Sequence, residues 1–106
     1  MERTGRIDAL TELLKQEPND LFLNYALGLE YMAERDLPKA DGQLKHVLTL
    51  DENYIAAYYQ LGKLFEQQLN ITEAIRYYKT GLEKAREQKN NKAINEFGEA
   101  IFMLED

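Results

Sequence analysis

Few side chains in this sequence of 106 residues have the types and spacing that catalysis or metal binding requires. There is one histidine, His46, and no cysteine, so His46 has no second imidazole or thiolate with which to hold a metal ion. The motifs GxGxxG, GxxxxGK, HExxH and GxSxG do not occur. We therefore expect no catalytic residue, no metal site and no cofactor, and we interpret His46 as a surface residue.

Carboxylates are more numerous, and two pairs have a spacing that places both members on one helix face. These pairs are Glu30 with Glu34 and Glu83 with Glu87, each four residues apart. Paired carboxylates act as general acid and base only where a cleft drives their pKa values apart. The residues around both pairs indicate a solvated helix face and no cleft, so we expect no enzyme activity.

Composition and charge limit the class of partner and the compartment. The chain has 13 Lys+Arg against 19 Asp+Glu, a net charge of −6, whereas binding to nucleic-acid phosphates needs a basic face. No apolar run, Ala100–Leu104 included, approaches the ~20 residues of a membrane span, and no apolar signal segment follows Met1. We expect a cytoplasmic protein with no nucleic-acid partner and no membrane segment.

Apolar residues recur every three or four positions along almost the whole chain, which is typical of helices with one buried face. Six stripes can be distinguished, with the representative residues Leu10, Leu27, Leu44, Leu61, Tyr78 and Phe97. Helix-capping residues separate them at Glu17–Asp20, Asp36–Pro38, Asp51–Asn53, Asn70–Glu73 and Asn90–Asn91. At Asn90–Asn91 the fifth and sixth helices either separate or run together. The short connections favour antiparallel neighbours.

The chain also resembles itself at an offset of 34 residues, a helix–turn–helix period. The matched pairs are Leu27 and Leu61, Gly28 and Gly62, Ala40 and Ala74, and Leu44 and Tyr78. We expect the glycines and alanines to let the two helices of each unit approach closely. The large apolar residues then fill the space between those helices.

These positions resemble the signature of the tetratricopeptide repeat (TPR) family. In a first repeat over residues 21–54, the matching residues are Leu27, Gly28, Tyr31, Ala40 and Leu44. In a second repeat over residues 55–88, they are Tyr58, Leu61, Gly62, Phe65, Ala74, Tyr78 and Gly81. The departures are Asn24 for an aromatic residue, Val47 for a small one, and Glu52 and Arg86 for proline. Without proline at Arg86, the second helix of that repeat is expected to continue to about Glu87.

The resemblance implies an all-α fold, namely a right-handed α-solenoid of antiparallel helix pairs with about six helices in one domain, residues 1–106. Residues 4–16 would form a half-repeat helix, and residues 91–104 a closing helix whose Phe97 and Gly98 resemble a third Leu-Gly pair displaced by two positions. The closing helix is apolar around its whole circumference at its end. There Phe102 and Met103 belong either to a frayed or folded-back end or to a contact between two copies.

The resemblance also implies a non-enzymatic scaffold that binds a peptide or helix of a protein partner in a concave groove. Carried over by position, the groove candidates are Phe22, Tyr25, Leu29, Tyr59, Gln60 and Lys63, with Glu66, Asn95 and Glu99 as further wall residues. For Phe22, Leu29 and Met32, packing against the first helix is the alternative. The alternative function is a self-assembling subunit, a homodimer joined through Phe102 and Met103.

One TPR subfamily is disfavoured. TPR domains that hold a C-terminal carboxylate use lysine, asparagine and arginine on successive helices. The corresponding positions here are Tyr25, Leu29, Gln60, Lys92 and Glu96, and only Lys92 has suitable chemistry. We therefore expect no carboxylate clamp.

Overall fold

The computed structural model describes residues 3–105, with side chains from Gly5 onward. Six α-helices make up this part of the chain, and it contains no strand. They are α1 (Arg3–Gln16), α2 (Leu21–Ala33), α3 (Leu37–Leu50), α4 (Ile55–Gln67), α5 (Ile71–Glu87) and α6 (Asn91–Leu104). The expectation of six helices is confirmed, and α5 and α6 are separate helices. No helix among these residues is both long and apolar enough to cross a membrane.

The connections after α2, α4 and α5 share one turn. Each contains a residue of positive φ just beyond the helix, namely Arg35 (63°), Leu69 (60°) and Lys89 (55°). At Leu69 the amide donates to the carbonyl of Glu66 (2.9 Å), and the next amide donates to Phe65 (2.9 Å), which closes the helix end. The residue that follows is in each case the N-cap of the next helix: Asp36, Asn70 and Asn90. The predicted capping residues therefore both end one helix and start the next.

The length of α5 explains the displaced Phe97-Gly98 pair. α5 has 17 residues where α3 has 14, and it runs to Glu87 as expected in the absence of proline at Arg86. The connection to α6 is one residue shorter than the connection after α3. The pair in α6 is consequently displaced by two positions from the 34-residue period.

The described chain forms two compact units, and the boundary between them along the sequence lies between Glu52 and Asn53. In the first unit α2 packs against both α1 and α3. Its close approach is at Gly28, where a Cβ would lie 2.7 Å from Cδ2 of Leu44. Leu44, Ala40 and Val47 of α3 are fully buried. The expectation that Gly28 permits a close helix pair is confirmed.

Asn24, which replaces the aromatic residue of the TPR signature, is the buried polar residue of the first unit, with 2% of its surface exposed. Its Nδ2 donates to the carbonyls of Pro18 (3.0 Å) and Asp20 (2.8 Å), and its Oδ1 accepts from Nε2 of Gln43 (2.6 Å). Asn24 thus ties the α1–α2 connection to α3 through hydrogen bonds where an aromatic ring would pack.

In the second unit α5 packs between α4 and α6. The ring of Tyr78 is fully buried and occupies the space that a Cβ at Gly62 would need. Phe97 packs in the same way on Gly81, where a Cβ would lie 2.5 Å from its ring. Large rings set against glycines therefore hold all three helices together.

Candidate binding groove

A groove of about 490 Å³ lies in the second unit and is lined by α4, α5 and α6. α4 contributes Tyr59, Lys63 and Glu66, which share one helix face through their spacing of four and three. α6 contributes Glu96, Glu99, Ala100 and Met103, again at the spacing of one face, and α5 contributes Tyr78. Two helices thus form the walls, and the third lies beneath them.

The aromatic floor of the groove is formed by Tyr59 and Tyr78, and the buried ring of Phe97 packs against both without lining the groove. Tyr59 lies 5.7 Å from Tyr78 and 5.7 Å from Phe97 between ring centroids, and Tyr78 and Phe97 are 6.3 Å apart. Tilted and edge-on contacts of this kind are favourable for aromatic pairs. Tyr78 and Phe97 are buried, whereas Tyr59 is half-buried. Tyr59 therefore presents a held aromatic surface to the groove.

Glu66 is fixed in the α4 wall by a hydrogen bond from the Tyr78 hydroxyl. Burial raises the pKa of Tyr78 far above its usual value, and the hydrogen bond to Glu66 raises it further. The hydroxyl consequently remains a proton donor throughout the neutral range. A carboxylate accepts more than one hydrogen bond, so the bond from Tyr78 does not exhaust the acceptor capacity of Glu66.

The other charged groups of the groove are less constrained. Nζ of Lys63 lies 5.6 Å from the centroid of the Tyr59 ring, a cation–π arrangement, and the side chain is exposed. Glu96 and Glu99 are exposed, and no residue in the described part of the chain forms an ion pair or hydrogen bond with either. The groove thus combines three carboxylates with one ammonium group.

The residues predicted from the sequence are distributed over both units. Tyr59 and Lys63 line the groove, whereas Gln60 is half-buried on α4 and does not. Phe22, Tyr25 and Leu29 share a face of α2 in the first unit, where Phe22 is 70% exposed and the other two are half-buried. α1 packs against α2, so Leu29 remains a candidate both for the binding surface and for packing against the first helix.

Several lining residues were missed or given another role by the sequence analysis. Met103, a dimer-contact candidate, lines the groove although it is 74% exposed, while Phe102 beside it is 79% exposed and lies outside. Glu96 and Ala100 were not recognised as groove residues. Steps of three and four residues from Glu99 would have found all the α6 positions.

The residues considered for catalysis or metal binding lie elsewhere. His46 is exposed on α3, with Nδ1 3.4 Å from Oγ1 of Thr49. The expectation that Glu30 lies on a solvated face is wrong, because its half-buried carboxylate pairs with Nε of Arg6 on α1 at 2.9 Å. Among residues 3–105, no three His, Cys, Asp or Glu side chains are grouped as a metal site would require.

Comparison with known proteins finds similar chains among solved structures. No protein-family model matches the sequence, and no curated protein matches it. A tetratricopeptide repeat domain protein from Salinibacter ruber, solved in solution by NMR, is 33% identical, with a TM-score of 0.78 over 83% of this chain and 89% of that one. A crystal structure of a Salinibacter ruber TPR domain protein is 32% identical over 80% of this chain and 96% of that one, with a TM-score of 0.74.

A third similar structure is the TPR2B domain of yeast Sti1, solved in a complex with pHsp70. It is 17% identical, with a TM-score of 0.85 over 92% of this chain and 78% of that one. At this identity the likeness concerns the fold. The predicted all-α, TPR-type solenoid class is confirmed.

Proposed function

Because the chain belongs to the tetratricopeptide repeat family, we propose that it is a non-enzymatic protein-interaction module that binds a peptide or helix in the α4–α6 groove. The observation that carries the proposal is the aromatic floor, where the half-buried Tyr59 packs against both Tyr78 and Phe97. A fixed aromatic surface surrounded by polar side chains is the usual composition of an interaction hot spot.

The dimensions of the groove suit a peptide. The α4 wall runs from Tyr59 to Glu66, about 10 Å at 1.5 Å per helical residue. An extended peptide advances about 3.3 Å per residue, so roughly three of its residues would lie along this wall. The complex of the yeast TPR2B domain with pHsp70 supports a protein or peptide as the class of partner for a domain of this fold.

The first unit offers a second apolar surface for the same kind of partner. Phe22, Tyr25 and Leu29 are spaced by three and four residues on α2, which places them on one side of that helix. Phe22 is the most exposed of the three. We include these residues in the proposed binding surface as apolar contacts, separate from the groove of the second unit.

Replacing Tyr59 by alanine tests the proposed function. Peptides selected from a random twelve-residue display library on the full chain should bind the Tyr59→Ala variant at least about tenfold more weakly in calorimetric titrations, because loss of a central aromatic anchor costs about 2 kcal/mol. The control is Tyr77→Ala, which removes a half-buried ring of the same unit that stacks on Phe65 outside the groove. Equal affinity for wild type and Tyr59→Ala, or failure to select any peptide, would contradict the proposal.

Self-assembly through α6 is the alternative function, and the exposure of Phe102 and Met103 favours it. If α6 forms the contact between two copies, sedimentation velocity should show a dimer at high concentration that Phe102→Glu converts to monomer. A charged side chain in an apolar interface is costly, so the loss should be complete. A monomer in both proteins removes this alternative.

A further inference from the structure

The charge of the α4–α6 groove does not follow from the charge of the surrounding chain. Residues 54–106 hold 8 acidic and 7 basic side chains, so this half of the chain is nearly neutral. The groove nevertheless has three carboxylates, those of Glu66, Glu96 and Glu99, and a single ammonium, that of Lys63. The excess of negative charge is therefore local to the groove.

This excess is also uncompensated by neighbouring side chains. Two acidic residues of the unit outside the groove have cationic partners: Glu73 pairs with Arg76 at 2.7 Å and Glu105 with Lys79 at 3.0 Å. Within residues 3–105, Glu96 and Glu99 have no such partner. Two carboxylates on one helix face that lack a counter-charge repel each other, and a ligand cation would relieve the repulsion.

The floor between these walls also suits a cation. The face of the Tyr59 ring accepts Lys63 of the chain itself at 5.6 Å, which indicates that a positive group is accommodated over this ring. A guanidinium fits such a place better than an ammonium. It is planar, stacks on an aromatic face, and pairs with a carboxylate through two parallel hydrogen bonds.

The end of the groove beyond the carboxylates is apolar. Ala100 and Met103 line it, and most of the Met103 side chain is exposed. Methionine is flexible and polarisable, so it can fit apolar side chains of different shapes. An apolar residue adjacent to the cation of a bound peptide would contact Met103.

We propose, on the basis of the peptide-binding function proposed above, that the α4–α6 groove selects a peptide segment with an arginine next to an apolar residue. The guanidinium takes the place over Tyr59 that the exposed Lys63 ammonium holds in the free protein, and it lies between Glu66 on α4 and Glu96 and Glu99 on α6. The apolar residue packs on Ala100 and Met103. Peptides that carry acidic side chains, or a free C-terminal carboxylate, at this position are repelled by the same walls.

The test uses four pools of acetylated and amidated heptapeptides that are random except for the central residue, which is arginine, lysine, citrulline or glutamate. Fluorescence polarisation of the labelled pools with the full chain should give the tightest binding for arginine. Citrulline keeps the shape of arginine without its charge, so we expect binding about tenfold weaker. The glutamate pool should show no binding.

Charge reversal in the protein completes the test. Glu96→Lys combined with Glu99→Lys should weaken binding of the arginine pool at least about tenfold and favour the glutamate pool. The control is Glu83→Lys combined with Glu87→Lys, exposed positions on α5 that do not line the groove and give the same change in net charge. The milder Glu99→Gln should lower affinity in the same direction even if the double reversal disturbs folding.

The outcomes separate this inference from the proposed function. If the selected display peptides need Tyr59 but the four pools bind equally, the arginine preference is wrong and the groove function stands. If the α5 control loses as much affinity as the groove variant, the effect belongs to net charge and the inference fails. If no pool binds while display peptides do, the arginine anchor is likewise wrong.

Discussion

Replacing Gly62 by alanine should lower the free energy of unfolding by about 3 kcal/mol, although alanine is the better helix former. The added Cβ would occupy the space of the Tyr78 ring, which cannot move aside easily. That ring is fully buried, lies against Tyr59 and Phe97, and has its hydroxyl bound to Glu66. Overpacking at a rigid ring costs more than at a flexible side-chain end, so urea denaturation should show a large loss.

Gly98→Ala is the matched control for this prediction. Gly98 also lies inside a helix, but a Cβ there would have no neighbouring atom within 4 Å. We expect this variant to gain up to about 1 kcal/mol from the higher helix propensity of alanine. Equal stability changes in the two variants would show that the close approach at Gly62 does not determine the packing of α4 on α5.

Replacing Asn24 by leucine should destabilise the protein by about 3 kcal/mol, even though the two side chains are similar in size and the site is buried. Three hydrogen bonds are lost, and the carbonyl of Pro18 and the amide of Gln43 lose their partner at this site. Buried groups without partners incur their desolvation cost. Urea denaturation measures the change.

The control for Asn24 is Asn19→Leu, the same substitution at an exposed position of the α1–α2 connection. Its effect should stay within about 0.5 kcal/mol. If Asn24→Leu is as stable as the wild type, hydrophobic burial at this position replaces the hydrogen bonds completely. The hydrogen bonds through which Asn24 joins the α1–α2 connection to α3 would then not be needed for stability.

Much of the fold could be predicted because local signals and the repeat agree. Capping residues such as Asn70 mark helix starts, and the offset between Gly28 and Gly62 locates both helix pairs. Interactions that depend on how α1 lies on α2 could not be predicted. The ion pair between Arg6 and Glu30 is one of them, because periodicity alone placed Glu30 on a solvated face.

The groove was predictable on α4 and only partly on α6. Tyr59 and Lys63 follow from their position in the repeat, which the 34-residue offset defines. Positions on α6 follow the corresponding positions on α4 by two residues more than the 34-residue period, because α5 is longer. Position in the repeat therefore no longer identifies the lining side chains of α6. Tyr78 was recognised as core, and its second role as groove floor depends on the space between α4 and α6.

The aromatic floor also makes the protein its own optical probe. The chain has no tryptophan, so its ultraviolet emission comes from its seven tyrosines. A ligand that covers Tyr59 changes the solvent around a ring that is coupled at 5.7 Å to Tyr78, and it should alter the tyrosine spectrum without any attached dye. In magnetic resonance, the ring currents of Tyr59, Tyr78 and Phe97 should shift the signals of a bound side chain upfield and so report where it lies.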